Sequence, residues 1–353
     1  MIADNRPRLI ALAIIVAACA DTTGQETCFD LEELRRVGTD EAADSALDER
    51  SIRAGGGVLG NIRGTVPGPD GSMYVLDRHF HKIVRFGPDG AVRQVILGGE
   101  GSGPGEFRLP IHITPAEGGF SVLDYELMRV TGFDWDGQLV RTDQVTTPNP
   151  WRHVVRGDTA WLTHYSGGPS TGPAWYAVEL GSSSFEPGPP LTEEDQAFGT
   201  AVGIATSSNG TLIVSTTRPG VWMVHDGDSW LRRGTPLFPT TAPPLEERID
   251  RSLTRTTPSQ YSANEIGVVG DSLVIQAIFS YDAPFDWDNP PGRDAGAWSL
   301  GIFRISGEHL ATVQLPRGVR TTQMYVDRET GLLYLQAADP FPQAIEYALR
   351  LCS

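Results

Sequence analysis

The chain carries one lysine, Lys82, in 353 residues; its other basic side chains are arginines, and acids outnumber bases 44 to 28 for a net charge of −16. An acidic surface repels nucleic acid and anionic lipid, which argues against either as a partner. There is no Gly-x-Ser-x-Gly elbow, no phosphate loop and no dinucleotide fingerprint, so the usual signatures of nucleophilic or nucleotide chemistry are missing. Cysteine is scarce, at three residues. Glycine (40) and proline (26), by contrast, are plentiful and recur between short apolar runs. That composition suits many short strands joined by tight turns.

The N-terminus reads as an export signal rather than as part of a fold. Arg6 and Arg8 precede an apolar run from Leu9 to Ala18, too short to cross a bilayer as a helix. The run ends in Val16-Ala17-Ala18-Cys19, which resembles the lipoprotein box of bacteria. The resemblance implies a signal peptide over 1–18, lipidation of Cys19 and a tether over 19–27. Ala20 rather than Asp after the cysteine implies outer-membrane retention, with the lipid anchor as the only membrane contact.

Internal repetition sets the expected architecture. Six turn-then-strand units occur, with strands at 73–76, 120–123, 160–163, 212–215, 273–276 and 333–336. The turns ahead of them are built from Gly, Asn and Asp, for example Pro69-Asp70-Gly71 and Asn209-Gly210. From Val75 to Leu335 the repeat averages about 52 residues, near the length of a four-stranded propeller blade. A second strand follows each of these, and a further one runs outward in several units. The sixth unit stops at Cys352-Ser353 without its outer strand, and the unused apolar segment Phe29 to Val37 can supply it. The expectation is an all-β, six-bladed propeller over 28–352, closed by an N-terminal strand that completes the C-terminal blade.

Residues 75–86 (Val-Leu-Asp-Arg-His-Phe-His-Lys-Ile-Val-Arg-Phe), Gly87-Pro88-Asp89-Gly90 and the glycine-rich stretch to Phe107 and Pro110 resemble an NHL repeat. Val122-Leu123-Asp124 with Arg129-Val130 and Phe133 to Gly137 repeats the pattern. The resemblance is strong over 65–145 and fades in the later units. It implies kinship with six-bladed bacterial lipoproteins and with propeller lyases and lactonases.

Two segments depart from the repeat. Residues 243–260 read as a helix, with Leu245, Ile249 and Leu253 on one face, and 281–298 read as a long loop rich in Asp, Pro and aromatics. Within the latter, Asp286, Asp288 and Asn289 have calcium-loop spacing but lack the central Gly and closing Glu, so a solvated partner-contact surface is the better reading. Asp77 and Asp124 recur at matched places and read as turn-capping carboxylates rather than ligands. His79 and His81 would share one side of a strand, which is metal spacing without further support.

The innermost strands should line the axial channel with Arg63, His112, Arg152, His153, Asn264 and Glu265, together with Gly203, Thr322 and Gln323. The imidazoles and carboxylate could ring a divalent metal. The arginines would repel one and suit an anionic ligand better, so no cofactor is expected. With Cys19 lipidated, Cys28 and Cys352 remain; Cys352 ends the third strand of blade six where Cys28 begins the fourth, and a disulfide is expected between them. The sequence therefore favours a monomeric, envelope-anchored, non-catalytic scaffold for a protein, peptide or glycan. A propeller hydrolase or lyase with an axial metal or anion pocket is the alternative.

Overall fold

A computed structural model describes residues 28–38, 57–97, 99–164, 173–182, 184–189, 201–225, 229–238, 261–281, 296–337 and 342–352. They form six antiparallel four-stranded sheets arranged as the blades of a β-propeller, with no helix among the described residues. Blade one is β2 (Ile62–Pro67), β3 (Met73–Asp77), β4 (Lys82–Phe86) and β5 (Val92–Leu97). Blade two is β6 (Pro110–Ala116), β7 (Gly119–Asp124), β8 (Arg129–Asp134) and β9 (Leu139–Gln144). Blade three is β10 (Pro150–Arg156), β11 (Thr159–His164), β12 (Trp175–Glu179) and β13 (Phe185–Pro187). Blade four is β14 (Ala201–Thr206), β15 (Leu212–Thr216), β16 (Trp222–His225) and β17 (Trp230–Arg233). Blade five is β18 (Tyr261–Val269), β19 (Leu273–Tyr281), β20 (Gly296–Arg304) and β21 (His309–Gln314). Blade six is β22 (Val319–Val326), β23 (Leu332–Ala337), β24 (Gln343–Leu351) and, returning from the N-terminus, β1 (Phe29–Val37).

The second strands read as unbroken apolar runs because both faces of each blade are covered by a neighbour. Every residue of β3 is buried, and its alternation divides the load: Val75 packs toward blade six with Tyr334 and Ala344, while Tyr74 and Leu76 pack toward blade two with Phe120 and Val122. The six apolar clusters are accordingly the six seams between blades rather than one central core. Phe120 stacks on Phe133 with ring centroids 5.5 Å apart, one of several aromatic pairs in the seam between blades one and two. The lone lysine, Lys82, is fully buried, 4.7 Å from the Phe80 ring centroid.

β1 completes blade six as expected, pairing with β24 from Phe29↔Leu351 to Val37↔Ala344. Cys28 and Cys352 form a disulfide, with Cα atoms 5.3 Å apart, and the Cys352 N–H donates to Cys28 O at 3.1 Å. Arg35 sits just past a bulge in β1, pairs with Glu346 at 2.7 Å and donates to the carbonyls of Gly71 and Gly87 in blade one, so the closing strand also fastens the first blade to the last.

Asp77 and Asp124 are backbone caps. The Asp77 carboxylate accepts from the N–H groups of Gly60, Asn61 and His79, and Asp124 accepts from Arg108, Leu109 and Leu127. The same capping corrects the strand placement of His79 and His81: Asp77 folds the chain there into the β3–β4 turn, and His81 adopts φ 50°. The loop expected over 281–298 is also shorter than the sequence suggests. Phe279 packs against Tyr281 and Trp298, with centroids 4.8 and 5.0 Å away, and these aromatic pairs prolong the β19–β20 hairpin to Tyr281 and back from Gly296. The signal, Cys19 and the tether, the 243–260 helix and Asp286, Asp288 and Asn289 fall outside the described residues.

Candidate functional site

The innermost strands β2, β6, β10, β14, β18 and β22 surround the axis, and each carries one register shift against its partner. A shift of this kind re-aims one side chain. Aligning the shifts brings Gly64, His112, Arg152, Gly203, Glu265 and Gln323 to one level, one from each blade. Blades one and four contribute glycines there, opposite each other across the axis. Over Gly203, Arg152 of blade three reaches past blade four to pair with Glu265 of blade five, both almost fully buried. A Cβ on Gly203 would lie 2.7 Å from the Ile266 nitrogen. Beside Gly64, Gln323 of blade six donates to the carbonyl of Ile111 in blade two, and a Cβ on Gly64 would lie 2.9 Å from Gln323 Oε1.

His112 and His153 form the third lock. Their Nδ1 atoms are 3.0 Å apart, the His153 backbone N–H points at His112 Nδ1, and Ser121 Oγ lies 2.9 Å from His153 Nε2. One proton arrangement satisfies all three contacts: His112 Nδ1 is an acceptor, His153 Nδ1 donates to it, and Ser121 donates to His153 Nε2. His112 then carries its proton on Nε2, which has no partner among the described residues. Burial, aided by the nearby Arg152 charge, pushes the His153 imidazole down to about 3, and His112 is held well below its usual range by burial, His153 and Arg152. Both rings are neutral at physiological pH. Burial pushes the Glu265 carboxyl up to about 7 against the opposing pull of Arg152.

This belt divides the axial residues between two ends. At the N-terminal ends of the inner strands sits Arg63, half-buried, its Nε shielded from solvent and without a hydrogen-bond partner. Burial and the charges of Arg78 and Arg152 lower its pKa to about 10. Arg152 itself stacks over Trp151 at 4.6 Å. Asn264 stands apart in the bulge of β18, donating to Ser262 O at 3.1 Å. At the other end lies a cavity of about 510 Å³ lined by all six blades, with His112, Glu265, Gln323 and Gly64 at its floor.

The structure thus brings Arg152 to Glu265 and His112 to His153, and sets Arg63 beside Arg152, while Asn264 joins neither group. His153 is fully buried between blades rather than open to the channel. Ser121 was missed because its contact with His153 crosses from blade two to blade three, which no sequence pattern reports, and Arg78 because the β3–β4 turn of blade one brings it near Arg63 only in three dimensions. Gln323 was placed near the axis, and its level with His112 and Glu265 was readable only once the register was known. Among the described residues no three His, Cys, Asp or Glu side chains cluster closely enough to hold a metal ion.

The sequence matches no protein-family model and no curated protein. Solved structures resemble it in shape. A Bacteroides fragilis protein described as exported aligns with TM-score 0.60 at 11% identity, covering 92% of this chain and 96% of its own. A gluconolactonase from Xanthomonas campestris aligns with TM-score 0.51 at 15% identity, covering 92% and 100%. The virginiamycin B lyase of Staphylococcus aureus aligns with TM-score 0.50 at 9% identity, covering 92% and 100%. At such identities the likeness bears on the fold alone. The NHL-like pattern finds no family model, whereas the six-bladed propeller that it implied is present.

Proposed function

We propose that this chain is an exported, non-catalytic binding propeller whose Arg63 end holds an anionic group of a peptide or glycan. The observation that carries this reading is Arg63, a cation with a buried, unpaired Nε beside two further arginines and with no acid bonded to it among the described residues. A buried donor without a partner is costly, and a carboxylate or sulfate would satisfy it. The molecule as a whole is acidic, so the attraction is local and favours small anionic groups over polyanions.

Several features favour export: the apolar segment ending at Cys19, read as a lipid-anchor site, and a disulfide that persists in oxidising compartments. A similarly shaped protein is itself described as exported. The hydrolase or lyase alternative draws on the gluconolactonase and lyase of similar shape. Against it, the axial groups are held in fixed contacts, Glu265 Oε1 by Arg152 and both His153 nitrogens by His112 and Ser121, and neither imidazole is paired with the carboxylate.

Calorimetric titration with galacturonic acid and N-acetylglutamate, against galactose and N-acetylglutamine, tests the reading. The acids should bind, weaken with added salt, and lose about tenfold in affinity in Arg63→Gln. Equal binding of acid and neutral isostere, or an unchanged Arg63→Gln, overturns it. Turnover of gluconolactone that Glu265→Gln abolishes would establish the alternative.

A further inference from the structure

The cavity at the other end of the axis has no part in the Arg63 reading, and its chemistry differs. It is closed below by the belt of locked side chains and open above between the hairpins that join first to second strands. Its volume of about 510 Å³ falls in the range that encloses small ligands. A groove of about 290 Å³ between blades three and four adjoins it and shares Arg156, Thr206 and Gly210 with it.

At the floor, His112 offers its Nε2–H, since Nδ1 is taken by His153. Glu265 accepts from Arg152 at Oε1, and its second oxygen has no partner among the described residues. A neutral donor and a carboxyl acceptor thus face the same small space. The rim carries both signs. Arg156 is held on Gly210 O at 3.1 Å and Arg328 on Ser207 O at 3.4 Å, Glu117 and Glu329 line the same rim, and the Asp327 carboxylate accepts from Glu329 N and Thr330 Oγ1. No single charge dominates. In the groove, Trp161 is half-buried, forms no aromatic pair among the described residues, and stands with His225 and Asn209 along the wall.

We propose that this cup and groove form a second ligand site, for a short neutral saccharide. Sugar hydroxyls both donate and accept, which matches a floor and rim of interleaved donors and acceptors better than an ion of either sign would. A pyranose also presents an apolar C–H face, for which the part-exposed indole of Trp161, packed on the seam between blades three and four, is a partner. The cup holds the terminal sugar and the groove directs the next residue outward between blades three and four. The site stands independently of the Arg63 end, because the belt separates the two.

The test is titration of the intact chain with glucose, N-acetylglucosamine, maltotriose and chitotriose, each to about 10 mM, with spermidine and sulfate as charged controls. At least one saccharide should bind, and the trisaccharides should bind more tightly than their monosaccharides. Trp161→Ala should weaken binding at least about tenfold. Trp161→Phe, which keeps the seam packed, should weaken it less, and Arg63→Gln should leave it unchanged. Trp161→Phe also decides the matter if the alanine variant fails to fold. Binding by none of the four sugars overturns the proposal, as do preference for spermidine or sulfate, a Trp161→Phe affinity equal to wild type, and loss of sugar binding in Arg63→Gln.

Discussion

Removing the Cys28–Cys352 bridge tests the closure of the ring. The two cysteines are 324 residues apart, and on chain-entropy grounds cross-linking a loop of that length contributes about 5–6 kcal/mol by restricting the unfolded chain. That is a ceiling, since measured values commonly fall at 2–4 kcal/mol. Even the lower figure is a large share of the roughly 5–15 kcal/mol by which a domain is stable. The native side retains other fasteners. β1 keeps its pairing from Phe29 to Val37, the Arg35–Glu346 ion pair and the Arg35 bonds to Gly71 and Gly87. The folded protein should therefore survive reduction as a propeller with a weaker transition. Urea unfolding followed by tryptophan fluorescence should show a loss of about 2–4 kcal/mol in a double variant, Cys28→Ser with Cys352→Ser, and the same loss on reducing the wild-type protein. The unfolding transition should stay single. A loss under about 0.5 kcal/mol, or an early separate step that strips β1 and leaves the other blades intact, would refute the idea that this strand and its bridge hold the ring closed.

Two further outcomes follow from the axial belt. His153, lowered from 6.5 to about 3, contributes stability that is fully present above pH 6.5 and is lost as pH falls toward 3. Glu265, raised from 4.5 to about 7, acts in the opposite sense, costing more stability as pH rises from 4.5 to 7. The two oppose each other over much of the acid range, so ring NMR signals separate them better than a melt. Neither His112 nor His153 should titrate between about pH 8 and 5, and a midpoint near 6.5 would remove the buried pair. Gly203→Ala should cost roughly 2–4 kcal/mol, because its Cβ would press on the Ile266 backbone at 2.7 Å beneath the Arg152–Glu265 bridge. A urea midpoint corresponding to less than about 0.5 kcal/mol would show that the blades are not closely packed there.

Much of the fold is written locally. Hairpin turns of Gly, Asn and Asp and short apolar strands recur together six times at a mean spacing of about 52 residues, so blade number and closure by 29–37 are readable without any long-range information. The disulfide is readable for the same reason: once the strand count leaves blade six one short, topology alone sets Cys28 beside Cys352. His79 and His81 misled because side-chain capping by Asp77, rather than the apolar pattern, decides where β3 ends. The axial residues were found by position but not by role. A one-residue shift in an inner strand changes which side chain is level with its neighbours, and the shifts differ from blade to blade. Only the closed ring decides that Arg152 meets Glu265 over a glycine, that two histidines share a hydrogen bond, and that Arg63 lies on one side of that belt and the cavity on the other. Those contacts join residues from different blades, and their geometry is fixed by how six sheets pack around a common axis, which no local stretch of sequence encodes.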